Sequence, residues 1–246
     1  MYKILFIGIG KMGFPMAGFL SEKYEVSVYN RSKEKISIWK KKYGGNAVEN
    51  LNQLDEKFDF IISCIGNDDD LREITSNDTG CFNVIRKNTI FIDHSTVSPK
   101  IVQELELKLK EKEAFFLDAP ISGGQLGAEK GQLSIMVGGD KNAFNKSESI
   151  FEVYGKKRKY MGSSGSGQLT KIINQICIAG LVQGLSESIY FMKQTKLNPE
   201  DVLDVISSGA AQSWQMDNRF MTMTENKFDF GFAVDLMRKD LSIAFD

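Results

Sequence analysis

The chain has 246 residues, 42% of them hydrophobic, which is enough to bury one large core or two smaller ones. Its 31 Lys and Arg nearly balance 32 Asp and Glu, for a formal net charge of -1. This charge provides no electrostatic attraction for nucleic acid or an anionic membrane. We therefore expect a small-molecule ligand, and neither a nucleic acid nor a membrane as partner.

The cysteine and histidine content argues against a metal centre. Cys64, Cys81 and Cys177 are scattered and show no CxxC spacing, and His94 is the one histidine of the sequence. This pattern predicts reduced thiols, a cytoplasmic protein and no bound metal. The first residues reach Gly8 and Gly10 at once and lack the layout of a signal peptide.

The N-terminal half alternates predicted strands and helices. "YKILFIG" predicts a strand, "KMGFPMAGFLSEK" a helix and "EVSVYN" a second strand, at the distance that a βαβ unit requires. Later apolar runs, separated by charged amphipathic stretches, predict further strands: "FDFIISCIG", "NTIFIDHS", "AFFLDAP" and "LSIMVGG". The expected fold is α/β, with a parallel sheet covered on both faces.

A Gly/Ser-rich segment, residues 162–167, marks the predicted domain boundary. We expect a Rossmann domain over 1–163 and an all-α domain over 164–246, built on a long interdomain helix from Gln168 to about Gln194. Asn198 is expected to cap a further helix that starts at Pro199. Because the chain stops within a helical pattern, we also expect more helices beyond Asp246 or a second subunit against it.

The glycine motif opens the predicted βαβ unit. Gly8, Gly10 and Gly13 follow a strand and begin a helix. They could serve only a turn, but this context favours a dinucleotide: Gly8 permits the turn, Gly10 lets the backbone approach a pyrophosphate, and Gly13 lets the helix pack on the strand.

The end of the second predicted strand suggests which dinucleotide is bound. An NAD-specific site usually has Asp or Glu here, whereas this chain has Asn30, followed by Arg31 and Ser32. A guanidinium can pair bidentately with a 2′-phosphate, although Arg31 could also decorate a surface turn. We predict that NADP(H) is preferred and that NAD(H) is possible.

Three polar residues share one face of the long predicted helix. Lys171, Asn174 and Gln175 lie at i, i+3 and i+4 among isoleucines. They form either a buried polar site or the exposed edge of an amphipathic helix.

Four segments in order resemble the β-hydroxyacid dehydrogenase family, which contains 3-hydroxyisobutyrate dehydrogenase and the tartronate, glyoxylate and succinic semialdehyde reductases. They are "GIGKMGFPMAGFL", "DAPISGG", "GSGQLTKIINQ" and "FAVDLMRKDL". The resemblance implies hydride transfer between NADP(H) and a small 3-hydroxy acid or semialdehyde, and it implies a homo-oligomer. It also implies that Lys171 is the general acid/base.

The resemblance assigns binding residues as well. Those implied for the substrate are Ser122, Gly123, Gly124, Asn174, Gln175, Phe232 and Asp240. Those implied for the cofactor are Gly8, Ile9, Gly10, Lys11, Met12, Gly13, Asn30, Arg31, Ser32, Cys64, Ile65, Gly66, Thr96 and Lys239. Without the resemblance, Lys239 and Asp240 would equally suit a surface pair. Family members often have Asn-Asn or His-Asn where this chain has Asn174-Gln175, so the substrate stays open.

Two aromatic residues and one rival function complete the expectations. We expect His94 to be structural rather than an acid or base, and Trp214 to be a core residue rather than a substrate contact. A non-catalytic dinucleotide sensor of the same fold is the alternative function. The presence of Lys171 favours the enzyme.

Overall fold

The structure is a computed structural model that describes residues 1–54, 57–229 and 232–245. The chain divides into two compact units, Met1–Lys171 and Ile172–Asp246. The division falls within the long helix, a short distance after the Gly/Ser segment.

One sheet organises the first unit. Its strand order is β3-β2-β1-β4-β5-β6-β8-β7, with β9 paired to β8. The described strands are β1 (Lys3–Ile7), β2 (Glu25–Tyr29), β3 (Asn46–Ala47), β4 (Phe60–Ser63), β5 (Ile90–Asp93), β6 (Phe115–Asp118), β7 (Ile121–Ser122), β8 (Leu133–Gly139) and β9 (Gly155–Gly162).

The sheet is parallel through its first six positions and mixed beyond them. The strands from β3 to β6 pair in parallel, as the sequence predicts. By contrast, β8 runs antiparallel to both β6 and β7. Only residues 123–132 connect β7 to β8, and a parallel pair needs a crossover of a dozen or more residues.

Helices cover both faces of the sheet. In the described part of this unit they are α1 (Gly13–Ser21), α2 (Lys33–Tyr43), α3 (Asp68–Thr75), α4 (Pro99–Glu111), α5 (Gly124–Glu129) and α6 (Lys141–Tyr154). Alternation along β1 sends Ile4 and Phe6 into one apolar core, whereas Leu5 and Ile7 enter the other. The fold class predicted from the sequence is confirmed.

The second unit is helical throughout its described residues. The long helix α7 (Ser166–Met192) leads into it, and α8 (Pro199–Ser207), α9 (Trp214–Thr224) and α10 (Val234–Ser242) follow. Leu185 and Ile189 of α7 pack with Phe220 of α9 in its core. Asn198 caps α8 as predicted, because its Oδ1 accepts from the Glu200 backbone N–H at 2.8 Å.

By length and composition, α7 could also cross a membrane: its mean hydropathy reaches 1.2, and among the described residues it alone meets both conditions. The core helix of a soluble protein meets the same two conditions.

Candidate dinucleotide and active site

The glycine loop after β1 is shaped by close packing. Gly8 has φ +93°, and a Cβ added there would lie 2.4 Å from the Cys64 carbonyl oxygen. A Cβ on Gly13 would lie 2.0 Å from the Gly8 carbonyl oxygen. A Cβ on Gly10, by contrast, would meet no atom within 4 Å. Close packing therefore excludes a side chain at Gly8 and Gly13, whereas the space beside Gly10 is empty of protein atoms. This arrangement fits a pyrophosphate that approaches the N-terminus of α1.

Asn30 ties the end of β2 to this loop. Its Oδ1 accepts from the Ile9 backbone N–H at 3.2 Å, and its Nδ2 donates to the Ser32 carbonyl oxygen at 3.3 Å. The amide therefore holds together the glycine loop and the end of β2, the two segments predicted to bind the cofactor. The sequence motif does not show this bracing role.

Arg31 lies beside two carboxylates of α3. Its guanidinium is 2.9 Å from Asp70 and 3.9 Å from Glu73. Arg31 lies directly after β2 as predicted, but sequence reasoning did not anticipate the two carboxylates beside it.

A buried polar network lies where β4 and β5 end. Asp93 accepts from the Ser63 hydroxyl at 2.7 Å and from the Ser95 hydroxyl at 2.6 Å. The Ser95 Oγ accepts in turn from the Ile65 backbone N–H at 3.0 Å. Burial, reinforced by Asp93, raises the pKa of Cys64 to about 12, so this thiol stays neutral at physiological pH. The network fixes the loop that leads to Gly66.

His94 and Thr96 follow β5. The His94 Nδ1 donates to the Ala119 carbonyl oxygen at 2.6 Å, which leaves Nε2 to accept from the Tyr154 hydroxyl at 2.9 Å. Burial lowers the pKa of His94 to about 4, so the ring is neutral at physiological pH. These bonds support the structural role expected for His94. Thr96 is half-buried.

The start of α7 is anchored on a buried carboxylate. Asp118, at the end of β6, accepts from the backbone N–H of Gly165 and of Gln168, each at 2.9 Å. A Cβ on Gly138 would lie 2.5 Å from one carboxylate oxygen, and a Cβ on Gly167 would lie 2.8 Å from the other. Burial raises the pKa of Asp118 to about 7, against the lowering effect of the two N–H donors.

Gln168 adds a second attachment for the same helix. Its Nε2 donates to the Ser95 carbonyl oxygen at 2.8 Å, and its Oε1 accepts from the Val97 backbone N–H at 3.2 Å. Sequence reasoning did not assign Asp118 or Gln168 a role of its own. A single glutamine or a single aspartate does not form a recognisable sequence pattern, although Asp118 and Gln168 each lie within a segment that carries the family resemblance.

Lys171 lies one turn further along α7. It is only 7% exposed, and its Nζ donates to the Ile121 carbonyl oxygen at 2.8 Å. Ile121 directly precedes Ser122, Gly123 and Gly124. Gly123 has φ +136° and Gly124 has φ +60°, which places this backbone in a conformation suited to glycine. The structure therefore brings Lys171 and the predicted carboxylate-binding segment together.

A chain of polar contacts runs through the second unit. Asn174 Nδ2 donates to Gln175 Oε1 at 2.8 Å, and Gln175 Nε2 donates to Asp240 Oδ2 at 2.6 Å. The Lys239 ammonium lies 2.8 Å from Asp240 Oδ1. Gln175 and Asp240 are buried, so the Lys239-Asp240 pair is not an ordinary surface pair.

Both aromatic residues of this unit that the sequence analysis singled out are exposed. Phe232, which precedes α10, is 48% exposed. Trp214 is 50% exposed, with the Arg219 guanidinium 5.2 Å from its ring centre. The expectation of a core tryptophan was therefore wrong: Trp214 begins α9, and Met216 and Phe220 are the residues of that helix that face the core.

Comparison with known families decides the identity. Residues 3–162 match the NAD binding domain of 6-phosphogluconate dehydrogenase, and residues 165–246 match the NAD-binding domain of NADP-dependent 3-hydroxyisobutyrate dehydrogenase. The chain belongs to the 3-hydroxyisobutyrate dehydrogenase family. This confirms the family and the enzyme class predicted from the sequence.

Relatives of this dehydrogenase family match over nearly all of the chain. An uncharacterized oxidoreductase of Shewanella frigidimarina is 45% identical over 100% of this chain and 85% of its own length. The 2-hydroxy-3-oxopropionate reductase of Escherichia coli is 32% identical over 98% of this chain and 82% of its own. The Mycobacterium tuberculosis 3-hydroxyisobutyrate dehydrogenase, solved with L-serine, aligns with a TM-score of 0.86 at 26% identity, over 100% of this chain and 86% of its own. As a member of this family, the protein is an oxidoreductase that uses a nicotinamide dinucleotide.

Proposed function

We propose that the protein transfers a hydride between NADP(H) and a short 3-hydroxy acid or the corresponding semialdehyde, with Lys171 as general acid/base. The observation that carries this proposal is the buried Lys171 ammonium, held at Ile121 beside the Ser122–Gly124 segment. The names of the E. coli and M. tuberculosis relatives support a small hydroxy acid or oxo acid as substrate.

The proton chemistry falls to Lys171. A bound nicotinamide dinucleotide would supply the hydride chemistry at the carbinol carbon, which leaves the proton to this chain's own residues. In oxidation, neutral Lys171 takes the hydroxyl proton as the carbonyl forms. In reduction, the Lys171 ammonium returns a proton to the aldehyde oxygen.

We assign substrate orientation to the Ser122–Gly124 segment and to Asn174 of α7. Ser122 and the backbone N–H groups of Gly123 and Gly124 are proposed to hold the carboxylate. Gln175 already bonds Asn174 and Asp240, so we assign it to positioning Asn174 rather than to direct substrate contact.

Replacing Lys171 tests the proposal. In Lys171→Ala, kcat for the reduction of short semialdehydes should fall by about 100-fold or more, while the Kd for NADP+ measured by calorimetry stays within about threefold. Lys130→Ala, which removes an exposed lysine of the same unit, is the matched control and should behave as wild type. Retention of more than about a tenth of the wild-type kcat, an effect below about 1.4 kcal/mol, would exclude Lys171 as the acid/base.

Arg31 is the proposed determinant of cofactor preference. A guanidinium and phosphate pair in partly solvated surroundings should favour NADPH over NADH by about tenfold or more in kcat/KM. In Arg31→Ala this ratio should fall toward unity. Equal kcat/KM values for both cofactors in the wild type would show that Arg31 does not bind the 2′-phosphate.

We also propose that the protein is a cytoplasmic homo-oligomer. Support comes from large apolar side chains of α7 that are exposed in the single chain: Ile173, Ile176, Leu181, Val182, Tyr190 and Phe191. Light scattering should show an oligomer at micromolar concentration without detergent. A monomer would contradict this assignment, and a requirement for detergent would favour a membrane role for α7.

A further inference from the structure

We propose that Asp70 of α3 limits the preference for NADP(H) by holding Arg31 and competing with the 2′-phosphate of NADP(H) for it. The inference rests on the proposed role of Arg31 and adds a residue that acts against it.

The ion pair crosses the cofactor edge of the sheet. Arg31 follows β2, Asp70 belongs to the helix after β4, and β1 with its glycine loop lies between those two strands. The Arg31–Asp70 ion pair, with 2.9 Å between guanidinium nitrogen and carboxylate oxygen, therefore links the segments on either side of the glycine motif. A phosphate that reaches Arg31 from this edge meets the Asp70 carboxylate.

Asp70 is the more firmly placed partner. Its side chain is 19% exposed in the pair, whereas that of Arg31 is 67% exposed. The Asp70 backbone N–H donates to the Asn67 side chain at 2.9 Å, which fixes the first turn of α3. A Cβ on Gly66 would lie 2.7 Å from a carboxylate oxygen of Asp70, so the carboxylate rests against the loop after β4. Arg31 is therefore the partner that can turn toward a ligand.

The chemistry makes the two anions compete for the same donor. The planar fork of a guanidinium pairs bidentately with a phosphate through two of its N–H groups, and Asp70 lies 2.9 Å from one of the two terminal nitrogens, Nη2. Glu73 adds a second negative charge 3.9 Å from the same guanidinium, so a 2′-phosphate enters against two carboxylates. NAD(H) has ribose hydroxyls instead, needs no cation at this point, and is not repelled.

The test measures NADP+ and NAD+ binding by calorimetry at low salt on the whole protein. In Asp70→Asn, NADP+ should bind about three- to tenfold tighter and NAD+ should bind as in wild type, as expected for a partly exposed charge pair. Asp69→Asn is the matched control. It removes the same charge from the same helical turn, but Asp69 is 97% exposed and pairs with Arg72 at 3.5 Å.

The outcomes separate this inference from the function on which it rests. If Arg31→Ala weakens NADP+ binding and Asp70→Asn leaves it unchanged, Asp70 is no competitor and only this inference fails. If Arg31→Ala changes neither cofactor, the proposed NADP site fails with it. Equal gains in Asp70→Asn and Asp69→Asn would show an effect of net charge alone. Weaker NADP+ binding in Asp70→Asn would show that Asp70 orients Arg31 for the phosphate, which also overturns competition.

Discussion

Replacing Asp118 by Asn tests whether the carboxylate under α7 is protonated in the folded protein. Asn has nearly the same shape but cannot ionise and offers one acceptor oxygen instead of two. One of the two buried N–H donors, from Gly165 or Gln168, would lose its partner. Where wild-type Asp118 is protonated, this loss should lower the free energy of unfolding by about 1–3 kcal/mol.

The pH dependence gives the sharper result. Burial raises the pKa of Asp118 from 3.8 to about 7. The folded state then keeps a proton that the unfolded chain releases. The contribution of protonated Asp118 to the free energy of unfolding is therefore complete below about pH 4 and is lost as pH rises through 7. At about 1.4 kcal/mol per unit, wild type loses about 3 kcal/mol between about pH 5 and 8. The free energy of unfolding of Asp118→Asn lacks this pH dependence. The excess stability of wild type over the variant should therefore shrink to zero or change sign as pH rises from about 5 to 8.

Fluorescence can follow this in the first unit alone. Trp39 is fully buried there, and Trp214→Phe removes the second tryptophan, which belongs to the other unit. Urea unfolding is then compared at several pH values for Trp214→Phe with and without the Asp118→Asn substitution. His94 titrates in both proteins and cancels. A difference that stays constant from about pH 5 to 8 would show that Asp118 is ionised throughout and that the N–H donors outweigh burial.

Three further predictions concern other parts of the site. The pKa of His94 is lowered from 6.5 to about 4, so wild type should lose about 3 kcal/mol of unfolding free energy as pH falls through that window, whereas His94→Gln should show a flatter profile in urea unfolding. Gly10→Ala should weaken NADP+ binding at least about tenfold in calorimetry and leave the melting temperature near that of wild type, because the added Cβ meets no protein atom. Gly13→Ala should instead lower the melting temperature. Equal effects of the two variants would contradict a binding role for Gly10 and a packing role for Gly13. Gln175→Ala leaves the buried Asp240 without its amide donor and should cost about 2 kcal/mol in thermal unfolding; no loss would show that the contact carries little energy.

Local patterns made the fold and the glycine loop predictable from the sequence. The alternation of apolar runs, the placement of Gly8 and Gly13 between strand and helix, and the Asn198-Pro199 helix start all lie within a few neighbouring residues. The antiparallel pairing of β8 was not predicted, since strand direction depends on where the chain returns to the sheet.

The contacts that hold the site were less predictable because they join distant positions. Asp118 reaches Gly165 across 47 positions, and Gln175 reaches Asp240 across 65. Sequence reasoning from one chain can place Lys171, Asn174 and Gln175 on one face of a helix, but it cannot say which backbone groups anchor that helix. The acidic partners of Arg31 escaped notice for the same reason.

The glycines around Asp118 have a consequence for anyone who diversifies this protein in the laboratory. A Cβ on Gly138 would lie 2.5 Å from the Asp118 carboxylate, whereas a Cβ on Gly167 would first meet two backbone oxygens, 2.4 Å from that of Met136 and 2.6 Å from that of Asp118. A library that randomises Gly138 or Gly167 singly will lose clones whose defect looks like poor expression. Paired libraries, in which a shorter residue replaces Asp118 while Gly138 is enlarged, relieve the nearest clash of such clones, whereas no side-chain substitution relieves the backbone clash at Gly167. Recovery of compensated pairs would then map how much shape variation the base of α7 tolerates.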